Sequence, residues 1–276
     1  MRTSNPALSE SAFNRLGTNQ GQAGYTQHGD FGQSPFGQGT FGSGPGTQAR
    51  PVTERFTVEG AIYKTGILLA ILIVSGLATA LLLPPALYYP AIIGGVILGL
   101  VALFTIMFRP HLAKIMAPGY AVVEGVVLGA ITVTIESQPG LDGIAGQAAL
   151  GTVGVLGVML FLYRTGVIQV TQRFRMVVLA ATGAIFLTYL ASFILGFFGI
   201  EFGFLHGNSM LSIGISLVVI GVAALNLALD FDFIERAAAA QLEQQMEWYA
   251  AFGLLVTLVW LYLEILRLLA KLQSRD

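Results

Sequence analysis

Beyond residue 60 the chain passes through seven long, almost wholly apolar runs, at 61–83, 87–108, 115–135, 144–163, 176–199, 210–232 and 248–271. Nothing else in the sequence limits folding as strongly. A helix needs about 20 apolar residues to cross the hydrocarbon of a bilayer. In that medium every backbone N–H and C=O has to be satisfied within the protein, which leaves helices as the natural form for such runs. Pro84-Pro85 separates the first run from the second, and Arg109-Pro110 ends the second. The connections 136–143 and 200–209 are short and polar, so the helices they join are expected to be antiparallel neighbours. The expected fold is an all-α membrane protein with seven spanning helices. Six spans with a re-entrant last segment is the alternative.

Composition points the same way. Only 11% of the residues are charged and mean hydropathy is +0.74, against about 25% charged in a soluble domain. The absence of cysteine excludes disulfides, a thiolate nucleophile and sulfur-ligated metal sites. His28, His111 and His206 lie in unrelated segments, so no histidine metal cluster and no cofactor are expected. A net charge of −1 gives no general attraction to nucleic acid.

Residues 1–57 are rich in Gly, Gln, Ser and Pro and lack the basic start and adjoining apolar core of a secretory signal. Such a segment cannot bury enough apolar surface to offset its ordering entropy, so a disordered tail is expected there, followed by a membrane domain over 58–276. Phe31-Gly32, Phe36-Gly37 and Phe41-Gly42 repeat within it at a spacing of five. They read as a flexible linker or a weak interaction tail.

Basic residues set the orientation. Arg50, Arg55 and Lys64 flank or open the first span. Arg109 and Lys114 follow the second, Arg164, Arg173 and Arg175 the fourth, and Arg236 the sixth. The alternate connections hold no Lys or Arg, which places the N-terminus in the cytoplasm. Arg267, Lys271 and Arg275 dissent: seven spans put them outside, where they would have to snorkel and pair locally. Gly95 with Gly99, and Gly125 with Gly129, are small-xxx-small pairs suited to close helix packing.

Carboxylates inside apolar runs are the candidate functional groups, because each needs a proton, a cation or a counter-charge. Asp230 and Asp232 end the sixth run, where Arg236 is near. Glu264 lies well inside the seventh, with Arg267 three residues on. Glu124 lies about ten residues into the third run with no cation near it in sequence, so it should be protonated, hydrogen-bonded across helices or turned to a cavity. Two such acids brought together cannot both ionise easily and hold a shared proton. They also offer the hard oxygen ligands that Ca²⁺ prefers.

The segments APGYAVVEGVVLGA, LALDFDFIE and LYLEILRLLAKL, on a seven-span chain, resemble the Bax inhibitor motif family of membrane proteins, and within it an actinobacterial branch with a long polar N-terminus. The resemblance covers roughly residues 60–272. It implies a seven-helix bundle with the C-terminal helix in the centre, and the activity of a pH-sensitive calcium leak pathway. It also implies that an acid ending helix six and an acid in helix seven share a proton as the pH sensor. Leu229-Asp230-Phe231-Asp232 and Leu261-Tyr262-Leu263-Glu264 match those motifs, which assigns the sensor, and a Ca²⁺ site, to Asp230 and Glu264. Glu124 matches an acid in the third helix of many members.

The chain departs from the family pattern in four places. Glu264 replaces an aspartate. Phe231 and Asp232 replace a Thr-Gln pair, adding a third acid that could compete for proton or cation. No arginine lies within span two, leaving Arg109 at its end as the sole candidate latch for Asp230. The connection 233–247 is about ten residues longer than in compact members, and reads as a short amphipathic helix with Glu235, Glu243 and Glu247 on its wet side.

Two functions follow as expectations: a pH-sensitive calcium or cation leak, or a non-transporting regulator of a membrane protease or stress response that docks through 1–57 or 233–247. An enzyme is not expected. No Ser/His pair shares a plausible depth, no HExxH is present, and Asp230-Phe231-Asp232 lacks the glycine context of intramembrane aspartyl proteases.

Overall fold

The structure, a computed structural model, describes residues 55–196, 198–199 and 209–274. The chain divides into Met1–Arg50 and Pro51–Asp276, and every described residue lies in the second unit. Of the tail expected to be disordered, 1–57, residues 1–54 lie outside the described residues, as do Arg275 and most of the 200–209 connection.

Seven helices are long and apolar enough to cross a membrane. They are α1 Val58–Leu82, α2 Tyr88–Phe108, α3 Ala113–Glu136, α4 Ile144–Arg164, α5 Gln172–Gly196, α6 Met210–Ala239 and α7 Met246–Gln273. Local chemistry sets their ends. The Thr57 side chain caps α1 by accepting from the Gly60 N–H at 3.0 Å, and Glu59 faces the positive end of the helix dipole. Ser209 caps α6 in the same way, accepting from the Ser212 N–H at 3.2 Å. Single turns of tighter helix at Pro85–Leu87 and Pro110–Leu112 lead into α2 and α3, where proline sits at the first helical position and sacrifices no hydrogen bond.

The helices form an all-α bundle around α7, which packs against α1, α3, α4 and α6. Fourteen of its residues are buried, while α5 buries only Val178. That contrast makes α7 the central helix and α5 a peripheral one. Because α7 is continuous over 28 residues, it has the length of a full span and not the shape of a re-entrant segment. Start meets start for α7 and α1, through Glu247 and Thr57. The end of α7 meets the start of α6, through Lys271 and Ser216. α7 therefore runs parallel to α1 and antiparallel to α6.

The connection after α6 differs from expectation. It holds no separate amphipathic helix, because α6 itself continues to Ala239 and only a short turn, with Gln241 at φ 51°, precedes α7. The run of four alanines there has high helix propensity and nothing to break it. Glu235 and Glu243 are exposed as expected, but Glu247 is buried. Arg55 pairs with Glu243 as an isolated β-bridge, the Phe56 N–H donates to the Leu242 carbonyl at 2.8 Å, and the Phe56 ring is buried. Residues 55–57 thus pack onto the membrane domain.

Glycines let α1, α2 and α3 approach one another. A Cβ on Gly125 would overlap the Ser75 hydroxyl and the Leu72 carbonyl of α1, and one on Gly129 would overlap the Gly76 carbonyl. On the other side of α3, a Cβ on Gly95 would strike the Val127 side chain. Lipid is as apolar as a leucine side chain, so helices here gain from close van der Waals contact and not from burial as such. Gly125→Ala is expected to destabilise the bundle by ~1–3 kcal/mol through overpacking. Gly66→Ala, where a Cβ meets nothing within 4 Å, should be neutral or stabilising. Unfolding of the purified variants in graded denaturing detergent tests the pair.

Candidate functional site

Gly253, Thr257, Trp260, Glu264, Arg267 and Lys271 recur along α7 at spacings of three and four, so they share one face of the central helix. Asp230 of α6 meets the start of this face: its carboxylate lies beside the Thr257 hydroxyl, and its Oδ1 is 3.7 Å from where a Gly253 side chain would begin. Its Oδ2 is enclosed and has no hydrogen-bond partner. A buried oxygen of that kind costs free energy unless it takes a proton or a cation. It is the one described carboxylate oxygen in this condition.

Glu264 lies further along the same face and is fully buried. Its Oε2 accepts from the Arg267 guanidinium at 2.9 Å, and the Tyr189 hydroxyl of α5 lies 3.1 Å from each carboxylate oxygen. The guanidinium also sits over the Tyr189 ring, 5.0 Å from its centre. Arg267 thus pairs locally, as a cation near a span end has to. Asp230 and Glu264, expected to meet, do not: among the described hydrogen bonds none joins them. Thr257 and Glu264 are seven residues apart, about 10 Å along a helix. Helical phase brings both acids to one face, but the length of α6 beyond Asp230 sets their levels apart. The described residues accordingly hold no cluster of three or more acidic or histidine side chains suited to a metal ion.

The remaining candidates fall into place singly. Asp232, two residues from Asp230, points to another side of α6 and is clasped by Arg175 of α5 at 2.9 Å and by Arg236 at 2.6 Å. Two guanidinium partners compensate its charge. Glu124 turns to the Tyr120 hydroxyl one turn back on α3, with Gly99 of α2 leaving room for it. Tyr120 in turn packs edge-on against Phe252 of α7, ring centres 4.9 Å apart. Arg109 is exposed at the end of α2 and makes no described ion pair with Asp230.

Three polar features escaped the sequence reading. Buried Glu247 at the start of α7 binds Lys64 of α1 and accepts from the Thr57 N–H at 2.8 Å and hydroxyl at 2.9 Å, while Lys64 also lies over the Trp248 ring. Lys64 stands alone in its apolar run, and that solitude was the available signal for an acid on another helix. Lys271 is buried against the Ser216 hydroxyl at 3.0 Å and the Ser212 carbonyl at 3.4 Å. Third, Arg175, Thr182 and Tyr189 lie seven residues apart on α5. Arg175 reaches Asp232, Thr182 accepts from Asn226 at 2.7 Å, and Tyr189 reaches Glu264. This evenly spaced stripe fixes a helix that has little apolar burial.

The sequence profile of the family described as Bax inhibitor 1 like matches residues 5–274, nearly the whole chain. No curated protein matches the chain significantly in sequence.

The Glu247–Lys64 pair generates a prediction. Lys64→Met leaves a buried, uncompensated carboxylate and should cost about 3–5 kcal/mol, whereas the double change Lys64→Met with Glu247→Leu should cost much less. Equilibrium unfolding of the two variants measures the difference, and equal losses would mean that the pair is not desolvated.

Proposed function

The chain belongs to the Bax inhibitor 1 like family, and from that membership and the placement of Asp230 we propose that it is a pH-sensitive calcium or cation leak pathway of the bacterial plasma membrane, with its N-terminus in the cytoplasm. The observation that carries this reading is the enclosed, unpartnered Oδ2 of Asp230 against the polar face of the central helix. Protonated, Asp230 is neutral and offers a cation nothing. Ionised, it supplies a negative oxygen inside the bundle that a mobile cation can neutralise, since Arg175 and Arg236 are taken by Asp232. Proton and cation therefore compete for the same oxygen, and conduction rises as pH rises through the ionisation of Asp230.

Glu264 acts differently. It carries a permanent counter-charge in Arg267 and holds α5 through Tyr189, so it serves as the second ionisable position on the path and fixes the wall beside it.

The test is Ca²⁺ influx into liposomes containing the full chain, read with a trapped dye from acidic to mildly alkaline pH. Wild-type influx should increase with pH. Asp230→Asn should abolish that dependence, and Glu264→Gln should weaken it. Influx with an unchanged pH profile in Asp230→Asn would remove the sensor from this residue.

One observation favours a regulatory role as the second reading. The segment leading from the tail is tied by Arg55 and Phe56 to the α6–α7 turn, so a partner pulling on residues 1–54 would act on the start of α7. Deletion of residues 2–54 leaves the Thr57–Glu247 contact intact. A leak should survive that deletion, and a docking function should not.

A further inference from the structure

A cleft of about 650 Å³ opens between α2, α3, α5 and α7, within the range of small-ligand sites, about 300–1,000 Å³. Its walls are helices long and apolar enough to span a membrane, and several lining residues are partly exposed, so the cleft opens toward hydrocarbon. An occupant has to enter from the bilayer and be apolar over most of its length. Aromatic side chains stand on both walls, Phe186 and Phe193 from α5 and Trp260 from α7. Such faces gain most from a flat ring placed against them.

Charge and hydrogen bonding narrow the choice of head. Among the described lining residues only Glu264 and Arg267 are charged, and they neutralise one another. An ionic head would lose its hydration there without a net attraction in return, so the occupant is uncharged. Donors and acceptors are not balanced in the same way. Both Glu264 oxygens are taken, by Arg267 and by the Tyr189 hydroxyl, and the carboxylate is buried. Arg267 gives one described N–H to Glu264, and its side chain is 38% exposed, so guanidinium donors remain for the cleft. The Trp260 indole N–H and the Ser192 hydroxyl line the same space and enter no described hydrogen bond. A wall with spare donors calls for a head that brings acceptors. The crevice of about 640 Å³ on the other side of α5 has no charged donor in its wall and makes no such demand.

We propose that this cleft is a binding site for a lipid-soluble quinone, an uncharged flat ring whose carbonyl oxygen accepts from Arg267 and whose tail lies in hydrocarbon. The bound ring would brace α5, the helix with the least apolar packing of its own, against α7. The proposal concerns binding alone and does not depend on the leak reading.

The two tryptophans make the test direct. Trp260 lines the cleft, and Trp248 lies twelve residues away, ~18 Å along α7. A ubiquinone with a decyl tail, titrated into the detergent-solubilised full chain, quenches any indole it approaches. With Trp248→Phe, the remaining Trp260 should quench along a saturating curve. With Trp260→Phe, Trp248 should quench only in proportion to the quinone dissolved in the micelle. The double variant Glu264→Gln with Arg267→Met removes the donor and keeps the wall neutral. It should raise the half-quenching concentration at Trp260 about tenfold, the loss expected of one hydrogen bond to a charged donor. Decylbenzene, which has the ring and tail without the carbonyls, should not displace the quinone at equal concentration. Gly196→Leu, placed where a Cβ meets nothing within 4 Å on the cleft wall, should abolish saturation while leaving the polar end intact. Equal curves for the two tryptophans, displacement by decylbenzene at equal concentration, or an unchanged half-quenching concentration in the double variant would each overturn the proposal and leave the cleft to bulk lipid.

Discussion

Every polar group on the central helix has to find its partner within the protein, because hydrocarbon offers none. That requirement organises the bundle more than apolar burial does, since the helices gain little by hiding leucine from lipid. Glu247 meets Lys64 and Thr57 at the start of α7, Glu264 meets Arg267 and Tyr189 in its later half, and Lys271 meets Ser216 near its end. Each contact reaches a different neighbour, so together they set the rotation and height of α7. Asp230 is the exception: it reaches α7 beside Thr257 with one oxygen left over. Among the described acids of α6 and α7, the one with an unsatisfied oxygen is where a proton or a cation has a reason to bind.

The same requirement explains α5. With Val178 as its only buried residue, it cannot be held by packing. Arg175, Thr182 and Tyr189 supply three polar attachments, one every second turn, to α6 and α7. The clefts on both sides of its second half are what remains when a helix is attached at points and not along a continuous seam.

The spans were legible in the sequence because twenty-residue apolar runs admit few other structures, and the structure moves the expected ends by four residues at most, except that the sixth helix runs seven residues further, to Ala239. Local pairs were legible too: Glu264 with Arg267 and Asp232 with Arg236 lie three and four residues apart, and helix geometry dictates them. What could not be read was register between helices. Asp230 and Glu264 were expected to meet because their motifs suggested it, yet motif spacing does not say how far α6 continues before the chain turns back. Its run to Ala239 places Thr257, and not Glu264, opposite Asp230. Glu247 was read as wet for a related reason: it stands among glutamines and glutamates, and its cation comes from 183 residues earlier.

The central claim is that a proton and a cation compete for Asp230. Its most direct measurement is the infrared carbonyl stretch of the protonated Asp230 carboxyl, isolated by subtracting the Asp230→Asn spectrum and titrated with Ca²⁺ at a fixed, mildly acidic pH. If the account holds, the band loses intensity as Ca²⁺ is added and ionised carboxylate intensity replaces it. A band that persists unchanged at saturating Ca²⁺ would contradict it, because the proton on Asp230 would then be indifferent to the ion.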